Sequence, residues 1–376
     1  MVQFTKAVTF AVLAAGALGH PGGNVRDEFE KREQHLNNPK RRTLADCHSA
    51  LERRGHQDLM VERRKARVND IRARKGLEPR PYLRARDLAT IGLTPVEQPE
   101  SEIFGRQSNC ILDPEQTEGP YWVTGELVRS DLLDGEPGVT IDLDINVIDV
   151  NSCSPVEGVY AELWGANSTG VYTGVVASGN GDGSASEINN NRLRGIQPTD
   201  AEGTATFKSV VPGHYVGRTN HLHTIIHNDA TMLPNNTIQG GKITHVGQFY
   251  FEQSLLQQVE DISPYSTNDQ EWMQNSADML YQQSSSNGDS AIVEIVLVGD
   301  TLADGVYGYI DVGINPSASY SPQPVNMWTD DGGIPVPGSM WQGYPWEESG
   351  GMPPGGFPGW PGAKRAEAKR EQKLEA

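Results

Sequence analysis

From about Cys110 onward the chain alternates between apolar and polar positions. In Val139–Val147 the odd positions are Val, Ile, Leu, Ile and Val, and the even ones Thr, Asp, Asp and Asn. That period of two predicts a strand with one buried and one wet face. Val159–Trp164, Thr204–Val210, Leu222–Ile226, Thr244–Phe251, Ala291–Val298 and Val306–Ile314 are further strands on the same grounds. Asp-Gly, Asn-Gly and Pro-Gly pairs lie between many of them. Seven short strands with little helix predict an antiparallel β-sandwich. After residue 90 only Glu252–Val259 and Asp269–Tyr281 read as helix, the latter as a lid beside the sheet.

The flanks read differently. Thr43–Lys75 is helical in pattern: Thr43 can cap, Leu44, Cys47 and Leu51 share a face, and Gly76 stands at the C-terminal stop. Gly55 is a candidate break in mid-run. After Pro316 the composition shifts to Pro, Gly and Trp, which predicts a disordered tail. At the other end, Lys6, the apolar run Ala7–Leu18 and the small-residue site Ala17-Leu-Gly19 read as a secretory signal. The expected organisation is a signal peptide over 1–19, a charged leader or propeptide over 20–42 and a helical segment over 43–86. A β-sandwich over 87–316 and a tail over 317–376 complete it.

Charge sharpens this division. Of 31 Lys and Arg, 19 precede Asp87 and only 7 lie between Asp87 and Ala363, where 36 Asp and Glu stand. So acidic a body repels nucleic acid and anionic lipid, and no apolar run is long enough to span a membrane. The arginines of the helical run are therefore expected on a solvated face or docked on the acidic body. Secretion would make Asn167-Ser-Thr and Asn235-Asn-Thr glycosylation acceptors. It would also permit a disulfide: Cys110 and Cys153 flank the first strand and are the favoured pair, leaving Cys47 over, with other pairings open.

Candidate chemistry concentrates in Val211–His227. His221 and His223 are two apart on a predicted strand, so both imidazoles point the same way, and two such imidazoles can chelate a transition metal. An HxH pair alone is a weak signal. Tyr215 and Arg218 stand just upstream, and phenol with imidazole suits a hard, oxidised metal better than zinc. Two more stretches add weight: Val159 to Tyr172-Thr-Gly, and Arg192 to Phe207 running into Val211-Pro-Gly-His-Tyr215. With Glu118-Gly-Pro-Tyr121 and Arg218-x-x-His-x-His, this ordered set resembles the intradiol ring-cleavage dioxygenases, most nearly their secreted fungal branch, over about residues 43–316.

The resemblance implies a non-haem Fe(III) site on a β-sandwich, with Tyr172, Tyr215, His221 and His223 as ligands. Tyr215 would be the axial ligand that leaves when substrate arrives. Arg218 would stand beside bound substrate, and Gln248, in Gly-Gln-Phe-Tyr-Phe, matches a nearby glutamine more loosely because His245-Val-Gly precedes it. The implied activity is cleavage of catechol-type aromatic diols with O2 to muconic-type diacids. An N-terminal helical segment often serves dimerisation in that family, so a homodimer is expected, with no nucleic-acid or membrane partner. The competing readings are a non-catalytic metal- or polymer-binding sandwich and a zinc hydrolase using the histidine pair. His214, His227 and His245 read as polar neighbours, not ligands. Arg192 and Arg194 read as loop pins pairing with Asp200, or as a steer for anionic substrate.

Overall fold

The computed structural model describes residues 42–84, 98–105, 118–177, 180–181, 183–285, 290–329 and 332–336. The expected signal peptide, the leader up to residue 41, Cys110 and the last forty residues lie outside them.

The N-terminal run forms a 3-10 turn (Leu44–Cys47), α1 (His48–Arg53) and α2 (His56–Arg74). Gly55 separates the two helices at a φ of 68°, a left-handed conformation that a side chain resists. A short α3 (Glu100–Phe104), unforeseen in the sequence, packs Ile103 and Phe104 against Val68 and Ile71 of α2.

The strands are β1 (Val123–Thr124), β2 (Thr140–Asp149), β3 (Ser154–Pro155), β4 (Tyr160–Gly165) and β5 (Arg194–Pro198). They continue with β6 (Thr204–Val210), β7 (His221–Asn228), the hairpin β8 (Thr231–Met232) and β9 (Ile238–Gln239), and β10 (Lys242–Tyr250). α4 (Gln253–Glu260) and α5 (Met279–Ser284) precede β11 (Glu294–Leu297), β12 (Val306–Ile314), β13 (Asn326–Thr329) and β14 (Gly332–Pro335). One sheet runs β11-β12-β2-β3 with β6 also on β2, and the other runs β10-β7-β4-β5. Pairing is antiparallel throughout both sheets except between β2 and β12, which run parallel over nine residues. The predicted sandwich is therefore correct, with one parallel seam at its centre.

Between the sheets lies one apolar core, filled by Ile141, Leu143, Ile145 and Val147 of β2 and by Leu163, Leu222, Ile226 and Phe249 from the facing sheet. The opposite face of β2 departs from expectation. Asp142, Asp144 and Asn146 are buried, not wet. α2 covers them with matching charge: Arg67 donates to Asp142 at 3.1 Å, Arg63 lies 3.9 Å from Asp144, and His56 meets Asn146 at 3.2 Å. Arg64 donates to Asp311 of β12 at 2.5 Å. A buried carboxylate is tolerable only when paired, so the basic helix and the acidic strand each account for the other.

Three expectations are corrected. Cys153 bonds Cys47, not Cys110, tying the helical segment to the end of β2 across 106 residues. Spacing along the chain could not show that the helix folds back beside Cys153. Residues 269–274 are irregular, Asn275–Ala277 form a single 3-10 turn, and only Met279–Ser284 is α-helix. The segment after Pro316 is not tail throughout: β13 pairs β1 in parallel and β14 in antiparallel, and Val325 and Asn326 are buried.

Candidate active site

Alternation along β7 explains where the polar side chains gather. Leu222 and Ile226 enter the core between the sheets, so His221, His223, Ile225 and His227 face outward. Over that outer face lies a second apolar cluster of Tyr121, Trp122, Val123, Trp164, Tyr172, Tyr215, Ile225 and Val325. In register, His223 sits between Trp164 of β4 and Gln248 of β10, and Tyr250 stands opposite His221. Trp164 stacks on the His223 ring at 4.8 Å and 9°, leaving the imidazole little freedom to turn.

Two loops bring the tyrosines in. Asn167 Oδ1 accepts from the Thr169 and Val171 amides, each at 3.0 Å, to shape the turn before Tyr172. Asn180 then grips Tyr172 by its backbone, accepting from its N–H at 2.6 Å and donating to its carbonyl at 2.7 Å. Gly170 is required here because a β-carbon would collide with the His214 carbonyl. Tyr215 and Arg218 form a bridge across a tight turn in which Gly217 has a φ of 87°, and so lie side by side.

All four candidate ligands converge. The Tyr172 hydroxyl is 3.2 Å from His223 Nε2, the Tyr215 hydroxyl is 3.3 Å from His221 Nε2, and the two Nε2 atoms are 3.1 Å apart. Arg218 reaches to 3.4 Å from His221 Nε2 and donates to Gln248 Oε1 at 2.6 Å and to the Tyr250 hydroxyl at 3.1 Å. His221 Nδ1 donates to the Thr219 carbonyl at 2.6 Å, so its Nε2 presents a lone pair to the cluster. Burial, helped by Arg218, holds His221 well below the usual histidine value of 6.5, which keeps that lone pair free of a proton. Burial raises the Tyr172 phenol well above 10.0, and the Tyr215 phenol is also raised, with Arg218 opposing.

This donor set fits a small, highly charged cation. Donors bound about 2 Å from a common centre lie about 3 Å from their neighbours, as successive members of the series Tyr172, His223, His221 and Tyr215 do. Neutral imidazoles supply lone pairs to such a cation, and a trivalent charge would pull the phenols into their ionised form. Tyr215 is the most accessible of the four at 7%.

Around the donors the supports are dense. Tyr121 stacks on Tyr172 at 4.6 Å and meets Tyr215 edge-on at 6.1 Å. Arg194 donates to the Thr173 carbonyl at 2.9 Å and the Tyr121 carbonyl at 2.7 Å, clamping the stacked pair from behind. It is a loop pin as expected, but beside Glu126, while Arg192 pairs with Glu136 and Asp200 is taken by Arg63. His227 is bound to Glu162 at 2.7 Å and His214 to Glu260 at 3.0 Å. Glu118 accepts from the Gln323 amide at 2.8 Å. Sequence reasoning missed Trp164, Asn180, Tyr250 and Asp278. Tyr250 shares the parity of Gln248 and was reachable by the same alternation; Asn180 and Asp278 carry no such signal.

Comparison with curated proteins gives no match. Among solved structures, the chain is similar to an intradiol ring-cleavage dioxygenase from Tetranychus urticae, with 29% identity over 58% of this chain and 100% of that one and a TM-score of 0.46. It is also similar to a hydroxyquinol 1,2-dioxygenase from Pseudomonas putida, with 18% identity, coverage of 53% and 65%, and a TM-score of 0.34. A catechol 1,2-dioxygenase from Acinetobacter, inhibited by bound mercury, shares 16% identity over 79% of this chain and 82% of its own, with a TM-score of 0.36. Residues 117–263, which carry all four converging donors together with Arg218 and Gln248, match the family model described as dioxygenase.

Proposed function

We propose that this protein is a ferric intradiol dioxygenase that cleaves catechol-type aromatic diols with O2 to muconic-type diacids. The observation that carries the reading is the meeting of Tyr172, Tyr215, His221 and His223 around one point, in a stretch that matches a dioxygenase family model. Iron bound there would act as a Lewis acid and template, drawing charge from a chelated diol so that a ring carbon becomes reactive towards O2.

The chain's own residues have separate tasks. His221 and His223 stay in place, one held by the Thr219 carbonyl and the other by the face of Trp164. Tyr172 is locked through its backbone to Asn180 and is the permanent phenolate. Tyr215, more accessible and carried on a glycine turn, would be the phenolate that gives way to substrate, taking up one proton of the diol and leaving as the neutral phenol. Arg218 offers a preorganised positive charge where the ring becomes electron-rich, and its bond to Gln248 holds it there. Tyr121 provides an aromatic wall.

Secretion is part of the proposal. It is supported by the N-terminal apolar pattern and by the Cys47–Cys153 disulfide, a bond that belongs to oxidising compartments. The zinc-hydrolase alternative is disfavoured because, among the described residues, no group of three His, Cys, Asp or Glu side chains could hold a metal.

The test is a visible spectrum and metal analysis of the purified protein, followed by oxygen-electrode assays with catechol and trihydroxybenzenes. A burgundy, iron-loaded protein whose band shifts with diol and which consumes O2 is expected. Iron without oxygen uptake on any diol would leave a binding protein, and a colourless zinc protein would end the reading.

A further inference from the structure

Beyond the matched stretch, one carboxylate reaches back into the site. Asp278 Oδ2 accepts from Arg218 Nε at 2.9 Å and from the Thr219 amide at 3.0 Å. Its Oδ1 accepts from the Leu280 and Tyr281 amides at 2.8 and 3.2 Å, so the same side chain caps α5. Arg218 and Asp278 are each only 2% exposed. One turn earlier, Asn275 accepts from the Thr219 hydroxyl at 2.6 Å and donates to the Phe251 carbonyl at 2.8 Å. The residues that aim Arg218 and His221 are thus gripped by the segment 275–281.

We propose that Asp278 positions the Arg218 guanidinium and compensates its charge, so that the site selects an uncharged aromatic diol over one bearing a ring carboxylate. This rests on the diol-cleaving reading above. Asp278 supports one edge of the guanidinium while Gln248 and Tyr250 receive the other, which leaves the group one orientation. A ring carboxylate entering the site would need a buried cation to balance it. Arg218 is already balanced by Asp278, and the neighbouring buried Arg194 is held behind the stacked Tyr121 and Tyr172, its Nε and Nη2 engaged by the Thr173 and Tyr121 carbonyls.

The experiment compares the iron-loaded wild type with Asp278→Asn and Asp278→Glu, using catechol and 3,4-dihydroxybenzoate. Dissociation constants come from anaerobic visible titration and kcat/KM from oxygen uptake. Asp278→Asn is expected to keep the visible band, because Tyr172, Tyr215 and both histidines remain. It should lose on the order of 100-fold in kcat/KM for catechol through misplacement of Arg218. Its ratio of dissociation constants should move at least tenfold towards the benzoate. Asp278→Glu, which retains the charge, should restore the wild-type ratio with a lowered kcat. An active wild type matched by Asp278→Asn in rate and ratio overturns the proposal. If Asp278→Asn does not fold, Asp278→Glu decides: a wild-type ratio with lowered kcat supports the proposal, and a shifted ratio or unchanged kcat overturns it. A wild type inert towards every diol is instead a failure of the diol-cleaving reading, seen before any variant is made.

Discussion

Loading ferric iron into this site should release a countable number of protons. In the metal-free chain, burial holds the Tyr172 phenol well above 10.0 and also raises that of Tyr215, so both are protonated at pH 6–8. His221 lies well below 6.5 and has no proton to release at that nitrogen. Each phenol that becomes a ligand therefore gives up one proton. At pH 7 even an ordinary phenol costs about 4 kcal/mol to ionise, or about 8 kcal/mol for two, before burial adds to it. Metal binding must offset that sum, which shrinks by about 1.4 kcal/mol per phenol for each pH unit gained. At fixed free ferric ion, the two phenols alone make the apparent affinity climb about 100-fold per pH unit. A bound hydroxide adds to the slope, but Tyr215→Phe isolates the phenol: its slope should be lower by one proton, about tenfold per pH unit. Competition against a chelator of known pH dependence at pH 6–8 measures both slopes. Calorimetry in buffers of different ionisation enthalpy counts the protons independently. Equal slopes for wild type and Tyr215→Phe would refute the assignment of Tyr215 as a phenolate ligand.

Breaking the Cys47–Cys153 bond, with both changed to alanine, releases a crosslink spanning 106 residues. The loop-entropy argument puts the loss at about 4.7 kcal/mol, and denaturant unfolding that showed under about 1 kcal/mol would contradict it. Glu126 is pushed up to about 8, chiefly by burial, with Arg194 opposing and Glu162 adding to the rise. The folded state then holds a proton that the unfolded chain has lost above about 4.5, so this group costs about 1.4 kcal/mol per pH unit up to about 8. Glu126→Gln should flatten the fall in stability between pH 6.5 and 8, and an unchanged slope in thermal or urea unfolding would count against it. Ending the chain at Pro316 removes Val325 from the aromatic cluster and the Asn326 bond to the Gly174 carbonyl at 2.7 Å. Burying a valine contributes about 1.5–3 kcal/mol, so the truncated protein should melt earlier and retain less iron by elemental analysis.

What could be read from residue order followed from periodicity. Alternation placed β2, β4, β6, β7, β10 and β12 within a residue or two, and put His221 and His223 on one face. The same rule failed at the polar face of β2, because period two reports only that a face is not apolar. Whether Asp142 and Asp144 meet water or arginine depends on a helix some 75 residues earlier. Composition misled after Pro316, where Pro and Gly do not prevent β13 from pairing with β1 or β14 from pairing with β13. Local spacing was likewise silent about Cys47, whose partner is set by how α1 lies against the sheet. The tyrosine and histidine set was legible through its motifs; Trp164 and Asp278 were not, since their roles arise from register and from a distant cap.

The pairing of Arg64 with Asp311 has a bearing on how the chain is made. These residues stand 247 positions apart. At a ribosomal rate of roughly 5–20 residues per second, about 12–50 s separate their emergence. Throughout that interval the newborn basic helix has no β12 to sit on, and β2 waits beside it without its parallel neighbour. The last long strand made is thus the one that closes the central sheet, and a nascent chain halted before residue 306 carries Arg64 without its final seat.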